Sequence, residues 1–168
     1  MSATTLTPPP GYELIEHPEI GPMFIWRERT CTLPDGETGY WMTATGGACL
    51  EAALATVLRR PIESISLPGL EASHVMTWGE ANGYTVNIRQ PRQGPRPMGS
   101  ALGFLGARAD RVDRGRAPAG HTVALLDGYL YHDPAQCFLW PSGQPPAPVR
   151  PADIEFVMTF TRKGDTPC

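Results

Sequence analysis

Three residues of types that can break an amide bond are spread along the chain: Cys49, His121 and Asp133. A thiol attacks a carbonyl as the thiolate, so it needs a base to take its proton, and the base needs a third group to orient it. His121 opens one apolar run and Asp133 ends the next, so pairing of the two runs would bring the two side chains together. These residue types predict a nucleophile, a base and an orienting acid.

Cys49 stands at the head of a predicted helix. The helix follows from apolar residues that recur at the spacing of one helical face, namely Leu50, Ala53, Leu54, Val57 and Leu58. At about 100° per residue, Cys49 lies at the edge of this apolar stripe. The first turn of a helix offers unsatisfied N–H groups and the positive end of the dipole, which favour a thiolate. The competing interpretation is a small packed residue, since free cysteines are often buried.

The segment between His121 and Asp133 is typical of a β-hairpin with Asp127-Gly128 as its turn. Regular pairing around a two-residue turn would point the two side chains to opposite faces of the hairpin. A bulge, or a three-residue loop, would instead pair Val123 with Asp133 and bring His121 and Asp133 onto one face. Because a triad requires that arrangement, we predict the bulged register.

In the regular register His132 would share the face of His121. That arrangement would indicate a metal or structural site formed by His121, His132 and Asp133, although their spacing is not distinctive. The four cysteines are widely separated and form no Cys-x-x-Cys pair, so the sequence predicts neither a zinc ribbon nor a disulfide scaffold. We expect no metal and no cofactor. Cys137 lies near the proposed site and is a candidate resolving thiol.

The elements that must position these residues are helices followed by an antiparallel sheet, which is the α+β class. Capping residues, including Ser73 as a possible N-cap, and apolar periodicity predict the boundaries. Helices are expected over residues 50–58 and 73–82, and strands over 84–90, 122–126, 129–133 and 154–161. An N-terminal β-hairpin is expected from residues 23–32 and 39–43, around a Pro-Asp-Gly turn.

Proline-rich stretches divide the chain into four predicted parts. Residues 1–10 are expected to be a flexible leader and residues 162–168 a flexible tail. Residues 11–43 form the predicted hairpin arm, and residues 44–161 form the domain that carries the three reactive side chains.

Composition and charge limit the classes of partner that the chain is expected to bind. The 168-residue chain is 41% hydrophobic and 18% charged, which predicts a folded globular domain. A net charge of −3 with scattered arginines gives no basic surface for nucleic acid. We see no secretory signal and no run of eighteen apolar residues, so we expect a cytoplasmic protein without membrane contact. The sequence does not specify an oligomeric state.

The order of these motifs resembles that of the papain-like cysteine peptidases. The similarity covers residues 45–160 and is greatest to small bacterial and phage-type members, including the bacteriocin-processing peptidase domains. The motifs that carry it are Cys49-Leu50, Arg60-Pro61-Ile62-Glu63, Arg114-Gly115, Gly120-His121 and His132-Asp133-Pro134. The resemblance implies N-terminal helices packed on an antiparallel sheet, with Cys49 as nucleophile, His121 as base and Asp133 as orienting acid.

The resemblance also identifies the oxyanion position. Papain-like enzymes usually place a glutamine six residues before the cysteine, where this chain has Thr43, and many bacterial relatives have Asp where it has Ala48. The oxyanion candidates are therefore Thr43 and the backbone N–H of Cys49.

Two functions follow as expectations. The first is a thiol-dependent hydrolase of a peptide, isopeptide or other amide, working through an acyl-enzyme. The alternative is a catalytically inactive papain-like scaffold that binds a protein partner or acts as an inhibitor, for example one encoded by a phage.

Overall fold

The computed structural model describes residues 6–17, 21–42, 49–91, 97–105 and 120–165. These residues form two α-helices and ten strands with antiparallel pairing, which confirms the predicted α+β class. The elements are β1 (Tyr12–His17), β2 (Gly21–Trp26), β3 (Thr30–Thr32), β4 (Thr38–Tyr40), α1 (Cys49–Leu58), α2 (Ala72–Ala81), β5 (Tyr84–Arg89), β6 (Ser100–Leu105), β7 (His121–Leu126), β8 (Tyr129–His132), β9 (Phe138–Leu139) and β10 (Ile154–Arg162).

The main sheet has the strand order β5-β10-β6-β7-β8. Helix α1 packs against β7 and β6, and α2 packs against β5. The core between helices and sheet contains side chains with no exposed surface, among them Leu54, Val75, Leu102, Ala124 and Met158. Burial of this apolar surface holds α1, and with it Cys49, against the strand that begins with His121.

Helix α1 is buried more completely than an amphipathic pattern predicts. Besides the expected stripe, Ala52, Ala55 and Thr56 are fully buried. The reason is the β3–β4 hairpin, whose strand β4 packs against the helix and whose Tyr40 N–H donates to Thr56 Oγ1 over 3.0 Å. The stripe prediction was therefore too narrow: α1 is a central helix covered on two sides.

The predicted N-terminal hairpin is only partly correct. The turn at residues 33–37 joins β3 to β4, as expected. Residues 23–26, however, belong to β2, which pairs with β1 on one side and with β9 on the other. The three-stranded sheet β1-β2-β9 thus connects the N-terminal segment to residues that follow Asp133. This pairing could not be predicted from the sequence, since β9 is only two residues long.

Helix α2 begins one residue earlier than predicted. Its N-cap is Glu71 rather than Ser73, and His74 Nδ1 accepts a hydrogen bond from the Glu71 N–H over 3.3 Å. At the other end Gly83 has a φ of 90°, which fits the predicted left-handed stop.

Strand β6 was not predicted because, after Ser100, it is apolar without alternation and contains Gly103. A Cβ at Gly103 would lie 3.1 Å from Val123 and 3.2 Å from Leu125, so close packing between β6 and β7 favours glycine there. Within the part of the chain that the structure describes, no helix is both long and apolar enough to cross a membrane.

Candidate active site

The β7–β8 hairpin contains the predicted bulge. Leu126 pairs with Tyr129 and Leu125 with Leu130 around a two-residue turn, but Ala124 pairs with His132. Tyr131 is therefore the extra residue, and every side chain after it is shifted to the other face. The turn is built from Asp127 and Gly128, both with positive φ, as a hairpin of this length prefers.

The bulge brings His121 and Asp133 into direct contact. His121 Nε2 lies 2.6 Å from Asp133 Oδ1, and both side chains are almost completely buried. A short hydrogen bond in a buried site is strong and fixes the plane of the imidazole ring. The prediction that these two residues meet is confirmed.

Cys49 is the first residue of α1 and is half-buried. Its thiol lies within interaction range of the His121 side chain and of the backbone N–H of Thr122, and both lower its pKa. Because Nε2 of His121 is engaged by Asp133, Nδ1 is the ring nitrogen left for the sulfur. The structure thus joins the three predicted residues in the order Cys49, His121, Asp133.

The charges of Cys49, His121 and Asp133 stabilise one another. Burial alone would raise the pKa of the Cys49 thiol, but the hydrogen bond and positive charge of His121 bring that pKa below its usual value. Burial opposes the charge on His121, yet the Asp133 carboxylate and the Cys49 sulfur raise the His121 pKa to about 10. Burial likewise opposes the charge on Asp133, but the charge and hydrogen bond of His121 lower the Asp133 pKa. At neutral pH the arrangement favours thiolate, imidazolium and carboxylate.

Asp133 is held by the turn that follows it. It caps a 3-10 turn at Pro134–Cys137, where Ala135 N–H donates to Oδ1 over 2.9 Å. Gln136 Nε2 lies 3.4 Å from Oδ2. Sequence reasoning missed Gln136, although its position three residues after a capping aspartate is a recognisable signal.

Glu51 is an opposing charge near the nucleophile. It lies in the first turn of α1, and its carboxylate acts to raise the Cys49 pKa. One carboxylate oxygen of Glu51 is buried and has no hydrogen-bond partner in the described structure. The lowered pKa of Cys49 therefore depends on His121 and Thr122 outweighing both burial and Glu51.

The predicted oxyanion site is described only in part. Thr43, like Ala48 and the Arg114-Gly115 motif, lies outside the described residues. The backbone N–H of Cys49 belongs to the first residue of a helix, where no helical carbonyl can accept it. That N–H is directed out of the helix end and adjoins the sulfur, as an oxyanion donor must.

His132 has a separate role. Its Nε2 lies 2.8 Å from the Tyr40 carbonyl oxygen, and its ring packs 4.6 Å from that of Trp41. Burial lowers the pKa of His132, so the neutral ring donates to this carbonyl. His132 therefore anchors the β3–β4 hairpin and does not join His121 in a pair. No group of three or more His, Cys, Asp or Glu residues suited to hold a metal ion is found among the described residues.

Cys137 is poorly suited to be a resolving thiol. Its Sγ lies 3.3 Å from the Pro134 carbonyl oxygen, and burial raises its pKa to about 12. The thiol is therefore protonated and unreactive at neutral pH.

One cavity adjoins the site, and a larger one lies away from it. One of about 310 Å³ adjoins Asp133 and is walled by Trp41, Leu130 and Val149. A larger one of about 540 Å³ lies at the opposite end of α1, beside Leu58 and Phe160. Asp133 lines the smaller cavity, and none of Cys49, His121 and Asp133 lines the larger one.

Comparison with protein family models, with curated proteins and with solved structures finds no match for the chain.

Proposed function

We propose that the protein is a papain-like thiol hydrolase that cleaves a peptide, isopeptide or other amide. The observation that carries the proposal is the position of the Cys49 thiol beside His121, whose Nε2 lies 2.6 Å from Asp133 Oδ1. Neither partner is a neighbour of Cys49 in sequence, and the bulge that aligns His121 with Asp133 is a local departure from regular pairing. Unusual geometry that aligns three reactive groups favours a catalytic role.

The chemistry would proceed in two halves. The Cys49 thiolate attacks the carbonyl carbon, a sulfur–carbon bond forms, and the carbonyl electron pair moves to oxygen beside the Cys49 N–H. Collapse of this intermediate breaks the carbon–nitrogen bond while the His121 imidazolium gives a proton to the leaving amine. The product is a thioester and a free amine.

Water resolves the thioester. Neutral His121 takes a proton from water as the water oxygen attacks, and collapse expels the thiolate with the acid product. Asp133 holds the ring in place through both halves and stabilises its charged form. The substrate is thus expected to be a peptide or protein, and the chemistry requires no cofactor.

The test is formation and breakdown of an acyl-enzyme from p-nitrophenyl acetate. We expect a burst of nitrophenol of one equivalent, an acetyl group on Cys49 by mass spectrometry, and continued turnover. Cys49→Ala should abolish the burst, and His121→Gln should slow it. Acetylation of Cys49 no faster than that of Cys31, whose pKa is raised by burial, would exclude an activated nucleophile.

The alternative, a binding or inhibitory protein on the same scaffold, predicts a different result for one variant. Cys49→Ala would then retain full biological activity, since the thiol would be a packing residue.

A further inference from the structure

Gln136 occupies a position between the triad and a neighbouring loop. It lies in the 3-10 turn at Pro134–Cys137, three residues after Asp133. Its Nε2 lies 3.4 Å from Asp133 Oδ2 and 3.3 Å from the carbonyl oxygen of Pro146. The two amide protons therefore reach two acceptors on different segments.

The orientation of this amide is determined by its partners. Both acceptors are oxygens, so the NH₂ group must face them, and a flipped amide would place Oε1 of Gln136 against the Asp133 carboxylate. The Pro146 contact thus fixes which end of the amide Asp133 meets.

The Asp133 carboxylate needs a donor on each oxygen. Oδ1 accepts from His121 and from Ala135 N–H. For Oδ2, the hydrogen bond given by the described residues comes from Gln136. Asp133 is only 5% exposed, so without Gln136 this oxygen would be buried and poorly satisfied. A carboxylate that is held through only one oxygen can pivot about that oxygen, so its plane is not fixed.

We propose that Gln136 is the positioning residue of Asp133: it holds the carboxylate plane in line with His121 Nε2, and Pro146 holds Gln136. This inference rests on the proposed thiol chemistry and assigns a residue to it. Gln136 acts through Asp133 and His121, and it does not contact the sulfur. Its loss should therefore weaken the stabilisation of the His121 charge, and through it that of the Cys49 thiolate, while the thiol itself remains in place.

The test is the pH profile of Cys49 alkylation by iodoacetamide, between pH 4 and 8, followed by mass spectrometry of the Cys49 peptide. The alkylation rate rises as the thiol ionises, so the position of the acid limb reports how strongly His121 stabilises the Cys49 thiolate. Gln136→Met keeps the size and removes the donor. We expect its acid limb to move upward by roughly half to one pH unit, so that alkylation on the limb is about threefold to tenfold slower.

Gln136→Glu separates the two contacts of the amide. Beside the Asp133 carboxylate the new acid is protonated at low pH, so its O–H can donate to Oδ2 while the Pro146 contact is lost. We expect its acid limb to coincide with that of the wild type. Gln144→Met and Gln144→Glu make the same changes at an exposed position of the next loop and should leave the profile unchanged. Gln136→Leu removes the same donor and replaces Gln136→Met should that variant fail to fold.

Three outcomes are distinct. If Gln136→Met coincides with wild type, Gln136 does not position Asp133. If Gln136→Glu shifts as far as Gln136→Met, the residue acts by anchoring the loop, and the inference is also overturned. If wild-type Cys49 itself has the profile of an ordinary thiol, the proposed function fails first, independently of Gln136.

Discussion

Asp133→Asn is the substitution whose consequence is largest and most specific. It removes one negative charge from the buried end of the series and keeps the shape of the side chain. The amide oxygen can still accept from His121 Nε2–H and from Ala135 N–H, so the local fold should persist. What changes is the charge that stabilises the imidazolium, together with the acceptor for Gln136, because the Asn NH₂ takes the place of Oδ2.

The magnitude follows from the His121 pKa. With Asp133 charged, that pKa is about 10, against a usual 6.5, which corresponds to roughly 5 kcal/mol in favour of the charged ring. Without the Asp133 charge, the Cys49 sulfur alone opposes burial, and the balance shifts toward neutral His121. Cys49 then loses its cationic partner and becomes an ordinary thiol, which at pH 6 is only about 0.3% ionised. Because a more basic thiolate is intrinsically more reactive, we expect alkylation at pH 6 to slow by roughly tenfold to hundredfold.

The assay compares iodoacetamide alkylation of Cys49 with that of glutathione from pH 8 down to pH 5. A thiol with a usual pKa loses about tenfold in thiolate for each pH unit below that pKa. Wild-type Cys49, whose pKa is lowered, should stay ionised at pH values at which ordinary thiols are protonated. The ratio of the two rates should therefore rise toward acid pH in wild type and remain flat in Asp133→Asn. Asp127→Asn is the matched control, since it makes the same change at the turn of the same hairpin.

A profile for Asp133→Asn that coincides with wild type would refute the reasoning. It would mean that the Asp133 charge is not what holds His121 protonated. A loss of reactivity in Asp127→Asn equal to that in Asp133→Asn would be equally damaging, because it would trace the effect to the hairpin fold.

Other outcomes follow from the same structure. The raised His121 pKa, taken alone, gives stability that is lost as the pH rises from 6.5 to about 10. The lowered Cys49 pKa adds stability as the pH rises and offsets this loss up to about pH 9. The net loss of unfolding free energy, on the order of 1 kcal/mol between pH 9 and 10, should be absent from His121→Gln in urea unfolding. Leu54→Ala, at a side chain with no exposed surface, should lower the unfolding free energy by about 2–5 kcal/mol while leaving m unchanged. Cys137 should resist iodoacetamide at pH 8 in the folded protein and react once urea exposes it, and rapid labelling in the folded state would contradict its raised pKa.

The proximity of Cys49, His121 and Asp133 could be predicted because each residue has a local signal. Cys49 follows glycines and begins an apolar helix, and His121 and Asp133 flank a hairpin with a recognisable turn. The bulge was also predictable, but only by requiring that His121 and Asp133 face the same side. Turn chemistry alone gives regular pairing, which persists here as far as Leu125 and Leu130.

Contacts between distant segments could not be predicted. The pairing of β2 with β9 joins residues more than a hundred positions apart, and β9 is too short to carry an alternating pattern. The contact of Gln136 with Pro146 could not be predicted either, because Pro146 lies in a proline-rich loop. The extra burial of α1 likewise depends on the β3–β4 hairpin docking on it, which periodicity within the helix cannot reveal.

The central claim is that His121 carries a positive charge beside a Cys49 thiolate at neutral pH. The ¹⁵N NMR spectrum of His121 at pH 7, assigned by comparison with His121→Gln, measures this directly. The account predicts that both ring nitrogens are protonated and remain so until the pH approaches about 10. A ring with one unprotonated nitrogen at pH 7 would contradict it.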